Sequence, residues 1–204
     1  MDSVLFLDID GVLNSKAHLI GRAMAFDNSW AGSIDRRLVT HVNRVVEATG
    51  ALVVICSDWR HLLTLPTLRK TLQRRGFVGR IIDTTNALRN ADRGLECAAW
   101  LASTRRSVDA FAAIDDRRDF APIERQHVRP NKLHGISNQD ADQAIRILSR
   151  PAKATIASYR ARVDKLRALT VPVRTSTNVP TRNAERVLEE VYARLYPKLV
   201  TVPC

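Results

Sequence analysis

Two short apolar runs in this chain each end on a pair of aspartates, and no other feature constrains the fold as much. Val4-Leu5-Phe6-Leu7 leads into Asp8-Ile9-Asp10-Gly11, and Ala110-Phe111-Ala112-Ala113-Ile114 leads into Asp115-Asp116. Neither run alternates apolar with polar residues. Each therefore reads as a strand buried on both faces, the condition of an inner strand in a parallel sheet. In an open α/β sheet, ligands bind outside the carboxyl ends of the strands. The four carboxylates are thus expected to converge on one place. Gathering them is costly unless a cation neutralises them, and a hard divalent ion with oxygen ligands, such as Mg²⁺, meets that demand. The bland alternative is that these aspartates only cap helices or turns. A calcium loop also begins Asp-x-Asp, but its later ligands are missing here.

The rest of the chain fits that sheet. A loop is expected from Asn14 to Gly32. Ser33 is placed to cap a helix with Ile34, Leu38, Val42, Val45 and Val46 at helical spacing, closed by Gly50. Ala51 to Ile55 reads as a second buried strand, and a leucine-rich helix is expected between His61 and Arg75, with Pro66 delaying or kinking it. Arg80-Ile81-Ile82 reads as a third strand. Asp92 is placed to cap a helix running to Ser103, and Ser137 to cap one carrying Ala141, Ala144, Ile145 and Leu148. Strands alternating with helices at these lengths predict a Rossmann-like, doubly wound parallel sheet over residues 1–150. Residues 151–204 read as a basic helical C-terminal extension: two amphipathic helices joined by an extended connector with Pro172 and Pro180.

The chain carries 32 Lys+Arg against 21 Asp+Glu, a net charge of +11. Such a field favours a phosphate-rich substrate or partner. Residues 151–204 hold 10 basic and 4 acidic side chains, more than half of the excess on about a quarter of the length. That is either an arm for a phosphorylated substrate or a helix pair with a solvated basic face. Cys56, Cys97 and Cys204 form neither a zinc pattern nor a disulfide framework, so a cytoplasmic location is expected. The opening residues lack the basic leader of a secretory signal, and no apolar run approaches the roughly 18 residues of a membrane span.

The second strand ends on Cys56-Ser57-Asp58-Trp59-Arg60. Ser57 offers a hydroxyl to a phosphate oxygen. Cys56 is not placed as a phosphatase nucleophile, because the arginine needed six positions later is Leu62; it reads as a small buried residue. Arg60 is either a phosphate contact or the partner of a sheet-end aspartate, and Trp59 reads as core. The five histidines show no metal-ligand spacing.

These segments together resemble the haloacid dehalogenase-like (HAD) phosphatases, and in detail the HAD domains of Swiss Army Knife RNA repair-like proteins. Members of that group tend to carry Ser-Ser-x-Trp-Arg, Arg-Gly-x-Glu, an aspartate pair and Gly-Leu-Thr. Here the corresponding residues are Cys56 to Arg60, Arg93-Gly94-Leu95-Glu96, Asp115-Asp116 and Gly135-Ile136-Ser137. The resemblance covers roughly residues 3–150. It implies that Asp8 attacks phosphorus to form an aspartyl-phosphate and that Asp10 protonates the leaving oxygen and then activates water. It further implies Mg²⁺ held by the Asp8 carboxylate, the Asp10 backbone carbonyl and one or both of Asp115 and Asp116, with Ser57 and Arg93 on the phosphoryl oxygens. Arg89 is the runner-up for the basic role, and Lys132, coming after the acidic pair, is set aside as wrongly placed. Asp119 either joins the acidic turn or pairs with Arg117 or Arg118.

Only about 20 residues separate the first motif from the next helix, so little or no cap is expected. An open site and a basic chain favour a nucleotide or nucleic-acid end as substrate, with a small phosphorylated metabolite as the alternative. Two further readings are a basic module binding nucleic acid or a partner on an inactive HAD scaffold, and a phosphotransferase with an acceptor other than water.

Overall fold

The computed structural model describes residues 2–24, 30–88, 92–121, 123–152 and 156–158. Five parallel strands form one sheet in the order β3-β2-β1-β4-β5. They are β1 (Asp2–Leu7), β2 (Leu52–Ile55), β3 (Ile81–Thr84), β4 (Val108–Ile114) and β5 (His127–Val128). The helices are α1 (Lys16–Met24), α2 (Arg36–Thr49), α3 (Leu65–Arg74), α4 (Arg93–Ser103) and α5 (Asn138–Leu148).

The unbroken apolar character of β1 follows from its place at the centre. Leu5 and Leu7 point into a core shared with α2, α3 and α5, whereas Val4 and Phe6 point into a second core built on α4. Successive side chains of a strand face opposite sides, so a strand covered twice must be apolar throughout. On the α4 face, Trp100 and Phe111 meet the Phe6 ring edge-to-face, with centroids 5.6 and 6.4 Å away. The doubly wound parallel sheet expected from the sequence is the observed fold. Between β1 and β2 the described chain adds only α1, a short 3₁₀ turn and α2, with no strand of a cap.

Several boundaries move, each for a local reason. The expected loop from Asn14 contains α1. The cap of α2 is Asp35, not Ser33: its carboxylate accepts the Arg37 N–H at 2.9 Å. The expected helix after His61 splits into a 3₁₀ turn, Asp58–His61, and α3, with Pro66 in the first turn of α3, where its missing N–H costs nothing. Gly50 ends α2 in the left-handed conformation, and Ser137 and Asp140 form a reciprocal capping box on α5.

At the start of the extension, Ala152 N–H donates to Asp109 O, and Ile156 is buried against the α4 core. Residues 159–204, which carry most of the extension, lie outside the described residues, as does Arg89. No helix among the described residues is long and apolar enough to cross a membrane.

Candidate active site

Register places the acidic pairs side by side. Leu7 is level with Ile114 in the β1–β4 ladder, so Asp8 and Asp115 are the next residues on adjacent strands. Asp8 N–H donates to Ile114 O at 3.0 Å and Asp115 N–H to Val128 O at 3.2 Å. Both side chains are buried. Carboxylate oxygens of Asp8, Asp115 and Asp116 lie within 4.8 Å of one another.

Burial raises the Asp8 carboxyl well above its ordinary range, and the nearby Asp115 and Asp10 charges raise it further. Burial likewise pushes Asp115 up to about 7 and raises Asp10 and Asp116. Arg93 opposes the rise at Asp8, Asp115 and Asp116. A dry cluster of oxygen donors that resists its own ionisation suits a hard divalent cation, whose charge removes both penalties. The donors that fit are Asp8, Asp115 and Asp116.

The Asp10 side chain has different partners. Trp59 Nε1 donates to both of its oxygens at 3.1 Å, and Asn14 Nδ2 to Oδ1 at 2.5 Å. Asn14 Oδ1 in turn accepts Gly11 N–H at 2.9 Å, closing the turn. Gly11 adopts φ +75°, and a Cβ there would stand 2.6 Å from the Asp116 carboxyl carbon. Only glycine allows both that backbone and that approach. Trp59 is thus a core residue, as expected, with a polar tip on a site carboxylate.

Arg93 opens α4 with its guanidinium buried. Its Nη2 donates to Asp58 Oδ1 at 2.8 Å, and its Nε stands 3.8 Å from Asp115 Oδ2. Buried Nε and Nη1 make no hydrogen bond, and Nη1 stands 3.8 Å from Glu96 Oε2. The start of α4 is pinned: Arg93 N–H donates to Asp119 Oδ2 at 3.2 Å and Gly94 N–H to Asp119 O at 3.0 Å. A Cβ on Gly94 would meet Phe120 backbone at 2.5 Å, so the glycine after Arg93 lets the helix rest on that turn. Asp119 also holds Arg117, at 2.8 and 2.6 Å.

Ser57 follows β2 with a buried hydroxyl that accepts the Trp59 N–H at 3.4 Å, and it is not among the residues that line the pocket. Arg60 pairs with Glu96 at 2.7 Å, stands 4.0 Å from Asp58 Oδ1, and also donates to Cys56 O and Ser57 O. Cys56 is fully buried, and burial, with Cys97 beside it, pushes its thiol up.

The pocket over this cluster is about 140 Å³ and is lined by Asp8, Asp10, Asn14, Asp58, Arg93 and Asp116, with Lys16, Arg117 and Lys132 among its other walls. Lys132, set aside for the basic role that Arg93 fills, therefore stands on the pocket wall. Asp58, Asn14 and Lys16 are further residues that the sequence did not single out. A larger cavity of about 580 Å³ lies against α1 and α2, around His18, Asp35 and Arg37. Its one carboxylate, Asp35, is already paired with Arg37 at 2.9 Å.

In a comparison with known families, the model described as the HAD domain in Swiss Army Knife RNA repair proteins matches residues 4–141. That span contains each group described above. No curated protein and no solved structure matches the chain.

Proposed function

Because the chain belongs to the family of HAD domains in Swiss Army Knife RNA repair proteins, we propose that it is a Mg²⁺-dependent phosphatase that hydrolyses a phosphomonoester through Asp8. The observation that carries this reading is the meeting of three carboxylates within 4.8 Å beside a buried arginine with two donors that make no hydrogen bond. The family suggests phosphatase-type hydrolysis, and the arrangement supplies a role for each group.

Asp8 Oδ attacks phosphorus, the bond from phosphorus to the leaving oxygen breaks, and an aspartyl-phosphate forms. Asp10 gives its proton to that oxygen, then takes one from the water that opens the aspartyl-phosphate. Burial, which raises Asp10, favours the proton it must donate first. Trp59 and Asn14 orient its carboxyl toward one task. Arg93 holds phosphoryl oxygens through Nε and Nη1, which make no hydrogen bond within the chain, while Ser57, buried outside the pocket lining, supports the turn that carries Asp58 and Trp59. Mg²⁺ bound among Asp8, Asp115 and Asp116 would neutralise charge on the transferring group. The excess of basic residues supports a nucleotide or a nucleic-acid end as the phosphorylated substrate.

The test is phosphate release from an aryl phosphate, with Mg²⁺ or with a chelator, followed by a screen of metabolites, nucleotides and phosphorylated oligonucleotides. Release that needs Mg²⁺ and vanishes in Asp8→Asn is the expected result. Metal-independent release would refute the role of the carboxylates. No release from any substrate would favour a binding module on an inactive scaffold.

A further inference from the structure

The cations around the pocket fall into two sets. Arg93 is engaged with Asp58, and Arg117 is held at two points by Asp119. Lys16 and Lys132 also line the pocket, and among the described residues neither ammonium makes a hydrogen bond or a salt bridge, although the Lys132 charge acts on Asp116.

Backbone contacts bring these two lysines together. Lys16 N–H donates to Lys132 O and Ala17 N–H to Leu133 O, both at 3.0 Å. The turn that carries Lys132 is itself fixed. Gly135 N–H donates to Asn131 O at 2.8 Å and Leu133 N–H to Asn131 Oδ1 at 2.9 Å. Gly135 has φ +76°, and a Cβ on it would stand 2.7 Å from Val12 O, so the turn is seated directly on the loop that carries Asp8 and Asp10. The first N–H groups of α1 are consumed in these contacts, which leaves side chains, not the helix end, to bind a ligand.

Strand order fixes the side. β2, with Asp58 after it, and β5, with Lys132 after it, lie on opposite sides of β1. The turn with Lys132 thus follows the strand beyond β4, and Asp58 follows the strand on the other side of Asp8. A phosphoryl group held by Arg93 would have its leaving group free to extend toward the lysines. Both lysines line one pocket, so an anion held there meets two cations.

Resting on the phosphatase reading above, we propose that Lys16 and Lys132 form a second anion subsite. The substrate class is then a phosphomonoester whose leaving group carries a further phosphate, on a nucleoside bisphosphate or at an oligonucleotide end.

The experiment measures kcat/KM for an aryl phosphate, a nucleoside monophosphate, the matching nucleoside bisphosphate and a short oligonucleotide with a terminal phosphate. The native chain should prefer the two substrates with a second phosphate by roughly 2- to 30-fold, the scale of two exposed ion pairs. High salt should erase the preference. The double variant Lys16→Ala/Lys132→Ala should bring the bisphosphate-to-monophosphate ratio close to one. Both lysines are exposed, so the variant should fold. The bisphosphate and oligonucleotide arms tell whether the second phosphate comes from a small nucleotide or from a chain. Equal loss on all four substrates would overturn the subsite and make Lys132 a counter-charge for Asp116.

Calorimetric binding of the bisphosphate and the monophosphate to Asp8→Asn separates the two readings. A binding preference that needs the lysines, without release from any substrate, supports the subsite and refutes the phosphatase. Release without any such preference refutes the subsite alone.

Discussion

Two charged clusters lie next to each other at the carboxyl end of the sheet, and they are built on opposite terms. Asp8, Asp115 and Asp116 bring like charges together, and burial makes each resist ionisation. Arg60 and Glu96, one step behind, are an opposite-charge pair at 2.7 Å, with the Arg60 fork also on two backbone carbonyls and Glu96 accepting the Leu88 N–H at 3.2 Å. The second cluster is complete within the chain. The first is complete only when something positive joins it. Arg93 links them, 3.8 Å from both Asp115 and Glu96. The contrast separates a scaffold from a site: structural charges are paired at folding, whereas functional charges are left to be paired by a ligand.

The largest expected effect breaks the contrast at its centre. Asp8→Asn removes the nucleophile and should cut turnover by roughly 10⁴-fold or more. The same change deletes one of the crowded carboxylates, so in the metal-free protein the melting temperature should hold or rise. Activity within tenfold of the native chain, measured by phosphate release, would sink the assignment. Asp10→Asn comes next, with a loss of roughly 10²–10⁴-fold. Its loss should grow as the leaving group becomes more basic, since such groups depend most on the donated proton. A loss independent of leaving group would remove Asp10 from the acid's role.

What could be read from the linear chain follows the same division. The strands around Asp8 and Asp115 are continuous apolar runs with a charge at their end, a local signal that needs no knowledge of the fold. Ser137 and Gly50 are also legible, because caps act within a few residues. α1 was hidden because its pattern is weak. Among its residues only Leu19 is buried, while Ile20 and Met24 are exposed, and its start is held by carbonyls of Lys132 and Leu133 from a distant turn. The place of Lys132 on the pocket wall is not legible for a related reason. The residue follows β5, a strand of two residues, too short to announce that the chain returns to the site. The pairing of Trp59 with Asp10, and of Arg60 with Glu96, joins residues on different elements, which only the assembled sheet brings together.

The paired cluster yields a smaller and purely structural effect. Glu96→Ala leaves the buried Arg60 guanidinium without its nearest carboxylate, with Asp58 Oδ1 4.0 Å away, and breaking such a pair costs roughly 3–5 kcal/mol. Replacing both, as Arg60→Met with Glu96→Leu, should recover much of that stability, because well-packed apolar groups leave no uncompensated charge. Denaturant titration of the single and double variants checks this. A double variant no more stable than Glu96→Ala would mean that Arg60 has a role its pairing does not explain.

The smallest effect concerns the unpaired cluster in the absence of metal. Burial raises Asp115 to about 7, above its ordinary value of 3.8. A carboxyl that holds its proton more tightly in the folded chain than in the unfolded one makes folding take up a proton. Its contribution to stability is full below about pH 4 and is lost as pH rises toward about 7. Asp8 and Asp116 shift in the same direction and add to the loss. In a chelator, the melting temperature should therefore fall by roughly 5 °C between about pH 5 and pH 7.5. Mg²⁺ reverses the slope, since it binds the ionised carboxylates and competes with protons: it should do little at the lower pH and raise the melting temperature at the higher. Asp115→Asn is the control, because it removes the most clearly shifted group while keeping its shape. In that variant the fall with pH should shrink, and so should the gain from Mg²⁺. A native chain whose stability rises with pH across this range, or a variant with an unchanged slope, would show that the three carboxylates are not the uncompensated charges that distinguish this cluster from the Arg60–Glu96 pair.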